Sequence, residues 1–469
     1  MNFKKSVFFI ISIFILIFCN ISNGLDNQSK HNNNDLNPPI IEDICPSKCQ
    51  EYIIGRPCIK ASYKDLNGID LSSIKLFLNY EDITDKCKIT KNSISYTPSK
   101  RLKRGTQIAK LEVCDLSLNK NKQVLEWYFT VGTPIYKHYR GLLHSHIDTL
   151  PNPIKYDDAY YIAKYKSNLD FFAITEHSNE LDNSIYCNID NASASSKWSA
   201  LIKSRDKFTV NGSFIPLSGF EITYDNKQNS SFGHINIFNS NGLVCSNQPD
   251  MKLDDFYKLI NEHDDLIGQF NNPCINFGTF SNFKYSSLGD KIMCLLEVGS
   301  GDNVELQKNY RYDDMYQIAL DKGWHIAPTC NQNNQKTNFG IANEFRTVIL
   351  STDLNKDSLF DSLKNRRVYA TEDKNIKIDY TINDLPLGSI ITNPSKLSFS
   401  ITAIDNDLND KITEIQVISN NGQIIKSTKF NSNLAKLDFN IKPEKNKFYY
   451  IKVIENKNKI SLTAPIWIK

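Results

Sequence analysis

Two kinds of hydrophobic pattern divide the chain into three folded regions. Within 45–133, apolar residues recur at every second position in short runs such as 124–131, separated by turn residues. This period is typical of strands with one buried face, and it predicts a small β-sandwich. Within 134–372, strand-like runs such as 171–175 alternate with helix-like runs such as 253–263. That alternation predicts an α/β region built around a parallel sheet or barrel.

The last region, 373–469, returns to the period of two, with strand-like runs at 396–403, 412–419 and 448–453. It predicts a C-terminal β-domain. The chain has 469 residues, which is enough for two to four domains, and three folded regions agree with that length.

The N-terminus has the layout of a signal peptide. Two lysines precede an apolar run from Val7 to Cys19, and small residues follow before Leu25. We predict a signal peptide over 1–24, an Asn-rich linker over 25–44, and a secreted, extracellular protein. An uncleaved anchor is the alternative, although the run is shorter than the roughly 20 apolar residues of a bilayer span.

The cysteines fit an oxidising compartment. Ten remain after residue 24, an even number, and disulfides are therefore expected, although the sequence selects no pairing. A zinc site at Cys45, Cys49 and Cys58 is the alternative, but these cysteines lack paired CxxC spacing and have no histidine nearby.

Charge excludes some partners. The 55 basic residues nearly balance the 52 acidic ones, unlike the strongly basic surface of a dedicated nucleic-acid binder. We therefore expect no nucleic-acid partner, and, because no second run of membrane length follows residue 24, no stable membrane span.

Metal-binding residue types stand where four apolar runs of the middle region end or begin. They are His144, His146, His177, Glu221 and His234. In an extended segment residues two apart face the same side, so the first two histidines project together. The C-terminal ends of parallel barrel strands meet at one mouth, and we expect the five side chains to converge there.

Imidazoles with a carboxylate suit a divalent ion such as Zn, Mn or Fe. Each of the five residues alone is also compatible with an ordinary hydrogen-bonded role; their joint placement indicates one shared metal site. The pattern singles out no catalytic residue. Arg346 and Lys336 are candidate phosphate clamps because they stand beside the last motif, with surface salt bridges as the ordinary alternative.

Six motifs in order resemble the PHP (polymerase and histidinol phosphatase) superfamily, in its extracellular multi-domain branch. They are HSH at 144–146, FFAITEHSN at 171–179, GFEIT at 219–223, GHINIF at 233–238, GWHIAPT at 323–329 and RRVYATED at 366–373. The resemblance covers about 134–372. It implies a distorted (β/α)7 barrel whose strand ends hold up to three metal ions for phosphoester hydrolysis. Residues 68–132 likewise resemble a bacterial-type Ig-like domain.

The chain departs from the family pattern at several ligands. The resemblance places Asn272 where the family has a histidine, Asn333 where it has an aspartate, and Gln335 where it has a histidine. The family's Ser-Asp-Gly after the HSH motif is also missing, and Asp148 is out of register. Amide oxygens bind these ions poorly, so we expect one weakly held ion, or none, in place of three.

Three functions remain open. The first is a secreted PHP-like protein with a depleted metal site, weak or inactive as a phosphoesterase, that binds a phosphorylated small molecule or a surface ligand. The second is an active metal-dependent phosphoesterase with an atypical one- or two-metal site. In the third, the β-domains carry the function and the barrel is a spacer. Fold alone does not separate them.

Overall fold

The computed structural model describes most of the chain in two compact units, one ending at Gly132 and the other following it. The described residues are 35–48, 50–132, 135–147, 154–181, 187–223, 232–244, 251–275, 277–301, 310–407, 409–445 and 447–469. The predicted signal peptide and the first part of the predicted linker lie outside them.

The first unit is built of strands. They are β1 (Ile40–Cys45), β2 (Gln50–Ile53), β3 (Ile59–Lys64), β4 (Ile69–Leu78), β5 (Glu81–Asp82), β6 (Lys88–Ile89), β7 (Ser93–Tyr96), β8 (Gly105–Asp115) and β9 (Lys122–Val131). They form two sheets, β1-β3-β7-β6 and β2-β9-β8-β4-β5. One apolar core takes residues from both sheets, including Ile59 and Ile94 from the first and Trp127 and Phe129 from the second. The alternation seen in the sequence accounts for this core, because every second residue faces it.

The second unit contains twenty strands and eight α-helices among its described residues. The strands are β10 (Lys137–Leu142), β11 (Phe171–His177), β12 (Ile215–Thr223), β13 (His234–Phe238), β14 (Ile267–Asn271), β15 (Met293–Ser300), β16 (Tyr310–Arg311), β17 (Ala327–Cys330), β18 (Arg346–Ser351), β19 (Val368–Thr371), β20 (Lys377–Ile382), β21 (Leu385–Pro386), β22 (Ile390–Ile391), β23 (Leu397–Ile404), β24 (Ile412–Ile418), β25 (Ile424–Ser432), β26 (Leu434–Ile441), β27 (Lys447–Glu455), β28 (Ile460–Thr463) and β29 (Ile466–Ile468).

The helices are short and cover the sheet. They are α1 (Tyr156–Tyr161), α2 (Ser178–Leu181), α3 (Ser196–Phe208), α4 (Leu253–Ile260), α5 (Phe280–Phe283), α6 (Gly289–Ile292), α7 (Asp313–Asp321) and α8 (Lys356–Lys364). Local sequence fixes their starts. The Asn355 side chain accepts a hydrogen bond from the Ser358 N–H at 2.8 Å and so caps the N-terminus of α8.

One long curled sheet runs through this unit in the order β16-β15-β14-β13-β12-β11-β10-β18-β19-β28-β27-β24-β25, and β17 pairs with β15. Parallel pairing holds for β10-β11-β12 and for β14-β15-β17. The pairs β12-β13 and β13-β14 are antiparallel. The structure is therefore mostly β, and the expected (β/α)7 barrel is not what its strands show. Only ten residues separate β12 from β13, fewer than a parallel crossover requires.

The C-terminal strands belong to the second unit. β28 pairs with β19, which extends the curled sheet beyond the predicted boundary at 372. A further sheet has the order β21-β20-β23-β26.

The expected disulfides are not confirmed. No disulfide joins two of the described cysteines, and Cys49 and Cys245 lie outside the described residues. Burial raises the pKa of the Cys294 and Cys330 thiols, which makes them unreactive. None of the helices in the described part of the chain is long and apolar enough to span a membrane.

Candidate metal centre

Glu221 lies at the centre of four histidines. Its Oε1 is 3.3 Å from Nε2 of His144 and 3.4 Å from Nδ1 of His234. Its Oε2 is 3.5 Å from Nε2 of His146 and 3.2 Å from Nε2 of His177. The structure thus brings together all five residues proposed from the sequence, and their role as ligands remains a prediction.

Strand register explains this convergence. β11 and β12 are parallel, and His177 pairs with Glu221 across them. β13 is antiparallel to β12, with His234 opposite Thr223, so the start of β13 lies at the edge where β11 and β12 end. His144 and His146 follow the end of β10, the neighbour of β11, and reach the same edge.

His144, His146 and Glu221 form the buried core of the cluster. Each offers one ligand atom, and these atoms all lie within 4.8 Å of one another. The two Nε2 atoms of the histidines face each other at 3.1 Å. His177 and His234 lie at the rim, with side chains 20% and 17% exposed. Solvent therefore reaches the cluster from the side of the rim histidines.

Two carboxylates beside the cluster were missed in the sequence analysis. Glu297, in the middle of β15, accepts a hydrogen bond from Nδ1 of His144 at 3.1 Å. Glu176 accepts from the Ile147 N–H at 3.0 Å and lies 3.9 Å from Nδ1 of His146. Both are fully buried. A charged residue within an otherwise apolar strand was the available signal, because a buried carboxylate needs a partner.

An amide was missed as well. Asn271, the last residue of β14, donates from Nδ2 to Oε1 of Glu221 at 2.8 Å, and Gln269 donates to Asn271 at 2.8 Å. Amides in this layer therefore hold the Glu221 carboxylate in place.

The charges of the cluster shift its pKa values. Burial acts to lower the pKa of His144, but the carboxylates of Glu297 and Glu221 outweigh it and raise the pKa to about 10. Burial acts to raise the pKa of Glu221, but the charges of His144 and His234 hold it well below its usual value. Without an ion, His144 is therefore protonated at neutral pH, and its charge offsets part of the negative charge of Glu221 and Glu297.

The three amides at positions where the resembled family has ligands lie in different surroundings. Asn272 is buried, and its backbone N–H donates to Oε2 of Glu297 at 3.1 Å, so it adjoins the cluster. Asn333 precedes Asn334, whose carbonyl accepts from the His146 N–H at 3.0 Å. Gln335 is exposed. Asp148 lies outside the described residues.

A divalent ion fits the residues that are present. Two imidazoles and one carboxylate are a donor set that suits Zn, Mn or Fe. Oδ1 of Asn333 is buried and receives no hydrogen bond from the described residues, so this part of the interior has an uncompensated oxygen. A buried acceptor of this kind is satisfied by a cation or by ordered water.

Arg346 is neither a surface salt bridge nor a phosphate clamp in this structure. It is 6% exposed, and its guanidinium donates to the backbone carbonyls of Gly340, Asn343 and Phe345. Its donors hold the loop between β17 and β18. The residue is therefore structural.

Comparisons with known proteins do not identify the family of this chain. No family model matches the chain, and no curated protein matches it. Among solved structures, a two-domain protein containing a predicted PHP-like metal-dependent phosphoesterase, from Bacteroides vulgatus, is 14% identical with a TM-score of 0.38; 70% of this chain and 95% of that chain are covered.

Two further solved structures match. CopC from Methylosinus trichosporium is 18% identical with a TM-score of 0.16, over 20% of this chain and 94% of that one. A calcium binding mutant of β-glucuronidase 2 from Bacteroides uniformis is 8% identical with a TM-score of 0.20, over 92% and 61%. TM-scores this low support no inference, and the chemistry rests on the residues of the cluster.

Proposed function

We propose that this chain is a secreted PHP-like protein that holds one divalent transition-metal ion between His144, His146 and Glu221 and acts as a binding module with little or no phosphoesterase activity. One observation carries the proposal: two imidazole nitrogens and a carboxylate oxygen converge within 4.8 Å in a buried place. Burying three such groups together is costly unless an ion or a proton neutralises them.

One ion is proposed because the further ligands of the resembled family are amides here. Asn272 adjoins the cluster through its N–H to Glu297, and Asn333 precedes the Asn334 whose carbonyl accepts from His146, but both side chains offer only neutral oxygens. Gln335 is exposed. Hydrolytic clusters clamp the phosphoryl oxygens and activate water with ions held by anionic and imidazole ligands. The remaining donors are too few for three ions.

Some residues of the site would bind or position the ion, and others would bind an anionic ligand. Glu297 orients His144 through Nδ1, which directs Nε2 toward the ion. A divalent ion held there supplies positive charge for an anionic oxygen. His177 and His234, at the exposed rim, are placed to donate hydrogen bonds to the same ligand. A phosphorylated small molecule or a phosphorylated surface group fits this arrangement.

An active one- or two-metal phosphoesterase is the second candidate. The observation in its favour is that His177 and His234 each contact a different oxygen of Glu221, so a second ion could use the rim imidazoles with that carboxylate. Both candidates place the mature protein in the secretory route, on the pattern of residues 1–24.

Metal content tests the centre. Purified protein is dialysed against Zn or Mn and then against a weak chelator, and bound metal is measured by mass spectrometry. We expect about one equivalent in wild type, none in His144→Ala/His146→Ala, and wild-type content in His263→Ala. The last histidine faces Asp190 away from the cluster. The proposal would be refuted by equal metal content in the wild-type protein and the double variant, or by the absence of bound metal in folded wild-type protein.

Restoring the family ligands separates the two candidates. The triple variant Asn272→His, Asn333→Asp, Gln335→His is compared with wild type on a panel of phosphomonoesters and phosphodiesters. A binding module predicts metal-bound wild type without turnover and a measurable gain in the variant. Turnover in wild type that depends on added metal and is lost in His144→Ala/His146→Ala selects the active phosphoesterase.

A further inference from the structure

A second cluster of buried carboxylates lies in the C-terminal strands. Asp373 follows β19, Asp405 follows β23, and Glu455 is the last residue of β27. Each side chain is about 1% exposed, and one carboxylate oxygen from each lies within 4.8 Å of the others. The three strand ends thus bring three acidic groups into one enclosed place. This cluster shares no residue with the metal centre.

Only part of this cluster is satisfied by the protein. Asp373 accepts hydrogen bonds from the Asn375 and Ile376 N–H groups on Oδ1 and from Nζ of Lys459 on Oδ2 at 2.5 Å. Asp405 accepts only on Oδ1, from the Asp407 N–H at 2.6 Å.

Three oxygens remain. While the groups are ionised, Oδ2 of Asp405 and both oxygens of Glu455 receive no hydrogen bond from the described residues. A buried carboxylate with two unsatisfied oxygens is rare in folded proteins, because water is lost without replacement. Glu455 is therefore a buried carboxylate that faces two other carboxylates and, while ionised, accepts no hydrogen bond from the described residues.

The nearby basic groups do not pair with two of these carboxylates. Lys374, Lys457 and Lys459 pair with Glu344, Asp373 and Asp410, and the charge of Arg346 acts on Glu344 and Asp373. Among the described residues no basic group lies at ion-pair distance from Asp405 or Glu455, and both are buried. One divalent cation neutralises these two carboxylates.

We propose that Asp373, Asp405 and Glu455 form a calcium site that ties the ends of β19, β23 and β27 together. Every donor is a carboxylate oxygen, the ligand type of hard cations, whereas zinc and copper favour nitrogen or sulfur. Calcium accepts irregular oxygen sets completed by backbone carbonyls and water, while magnesium demands near-ideal octahedral geometry. Carboxylates from three separate strand ends suit the more tolerant ion.

The competing explanation is a proton shared between Asp405 and Glu455. Burial and the charge of Asp373 raise the pKa of both carboxyls, and a protonated Glu455 would hydrogen-bond to Asp405, so protonation would also relieve the cluster. The two explanations differ in their response to calcium. A shared proton predicts none, and it predicts that a neutral amide at position 455 is tolerated or stabilising.

Thermal unfolding of the full protein provides the test. Chelator-treated protein is heated with and without 1 mM CaCl2, with MgCl2 in parallel, and calcium binding is measured by equilibrium dialysis. We expect one calcium per chain and a Tm increase of about 5 °C when calcium exceeds Kd a hundredfold. Glu455→Gln should bind calcium at least tenfold more weakly and lose most of the Tm increase.

Three further proteins make the outcome decisive. Glu444→Gln, at an exposed residue of the same strand region, should respond like wild type. His144→Ala/His146→Ala should also respond, which separates this site from the metal centre. Asp405→Asn replaces Glu455→Gln if the latter fails to fold. The proposal is overturned if wild type shows no calcium response, if magnesium alone gives it, or if a folded Glu455→Gln or Asp405→Asn protein keeps it in full.

Discussion

Glu297 offers the most informative single change at the metal centre. Glu297→Gln keeps the shape of the side chain and removes its charge. In the wild-type protein Oε1 accepts from Nδ1 of His144 at 3.1 Å, and Oε2 accepts from the Asn272 N–H at 3.1 Å. A carboxylate on Nδ1 fixes the tautomer, so that Nε2 of His144 is left facing His146 and Glu221.

The expected loss follows from this hydrogen bond. A bond to a charged group contributes about 1.5–3 kcal/mol, which corresponds to roughly 10–100-fold in affinity. One effect acts in the other direction: Glu297 also raises the pKa of His144, so the variant releases its competing proton more easily. A divalent ion carries two positive charges and a proton carries one. The Glu297 carboxylate therefore stabilises a bound ion more than it stabilises the proton on His144. We expect metal affinity to fall about tenfold or more.

Zinc titration against a competing chelator at pH 7.5 measures this loss. Asp170→Asn is the matched control, because Asp170 stands just before β11, at the opposite end of that strand from His177, and accepts from the Arg140 N–H at 2.7 Å. The control should bind zinc like wild type. Thermal unfolding in chelator reports whether the variants fold. Wild-type affinity in a folded Glu297→Gln protein would refute the positioning role of this carboxylate.

Three other predictions follow from the same contacts. Because the pKa of His144 is about 10 without metal, zinc binding at pH 7 should release about one proton, and affinity should rise with pH up to that value; calorimetry in buffers of different ionisation heat measures both. Asp290→Asn should lower the free energy of unfolding by about 3 kcal/mol in urea titrations, because the carboxylate pairs with His325 at 2.8 Å. Burial acts to raise the pKa of Asp290, but His325 outweighs burial and lowers it. The stabilisation from this pair should therefore be present above the ordinary pKa range of carboxyl groups and disappear as the pH falls below that range. Gly141→Ala should reduce Tm and soluble yield, since its Cβ would lie 2.1 Å from the Phe171 carbonyl oxygen.

The periodicity of the sequence predicted most strand positions but not their directions. The strand-like run at 171–175 lies in β11, and the helix-like run at 253–263 contains α4. The antiparallel β13 could not be foreseen, because a buried strand has the same pattern in either direction. His234 is the first residue of its strand, so it lies beside Glu221 only because β13 runs antiparallel to β12.

Residues that position a metal ligand, or whose partners lie far away in the chain, were harder to predict from the sequence. Glu297 lies within an apolar strand and has no motif partner nearby in sequence; its partner, His144, is 153 residues away. The same holds for Glu455, whose neighbours Asp373 and Asp405 come from other strands. Contacts between residues so far apart in the chain depend on the fold. The pattern of a single sequence does not predict them.

The backbone at Asn272 and Asn333 has the same unusual conformation at both positions. Asn272 and Asn333 both have φ near +44°. Asparagine, aspartate and histidine are the side chains that tolerate this left-handed conformation best, and the resembled family has histidine and aspartate at these positions. Asparagine is thus compatible with the same turn, and it offers a neutral amide oxygen in place of an anionic or imidazole donor. His144, His146 and Glu221 stay buried at this edge of the sheet, so a transition-metal ion at this place depends on these three donors and on the carboxylate of Glu297 that positions His144.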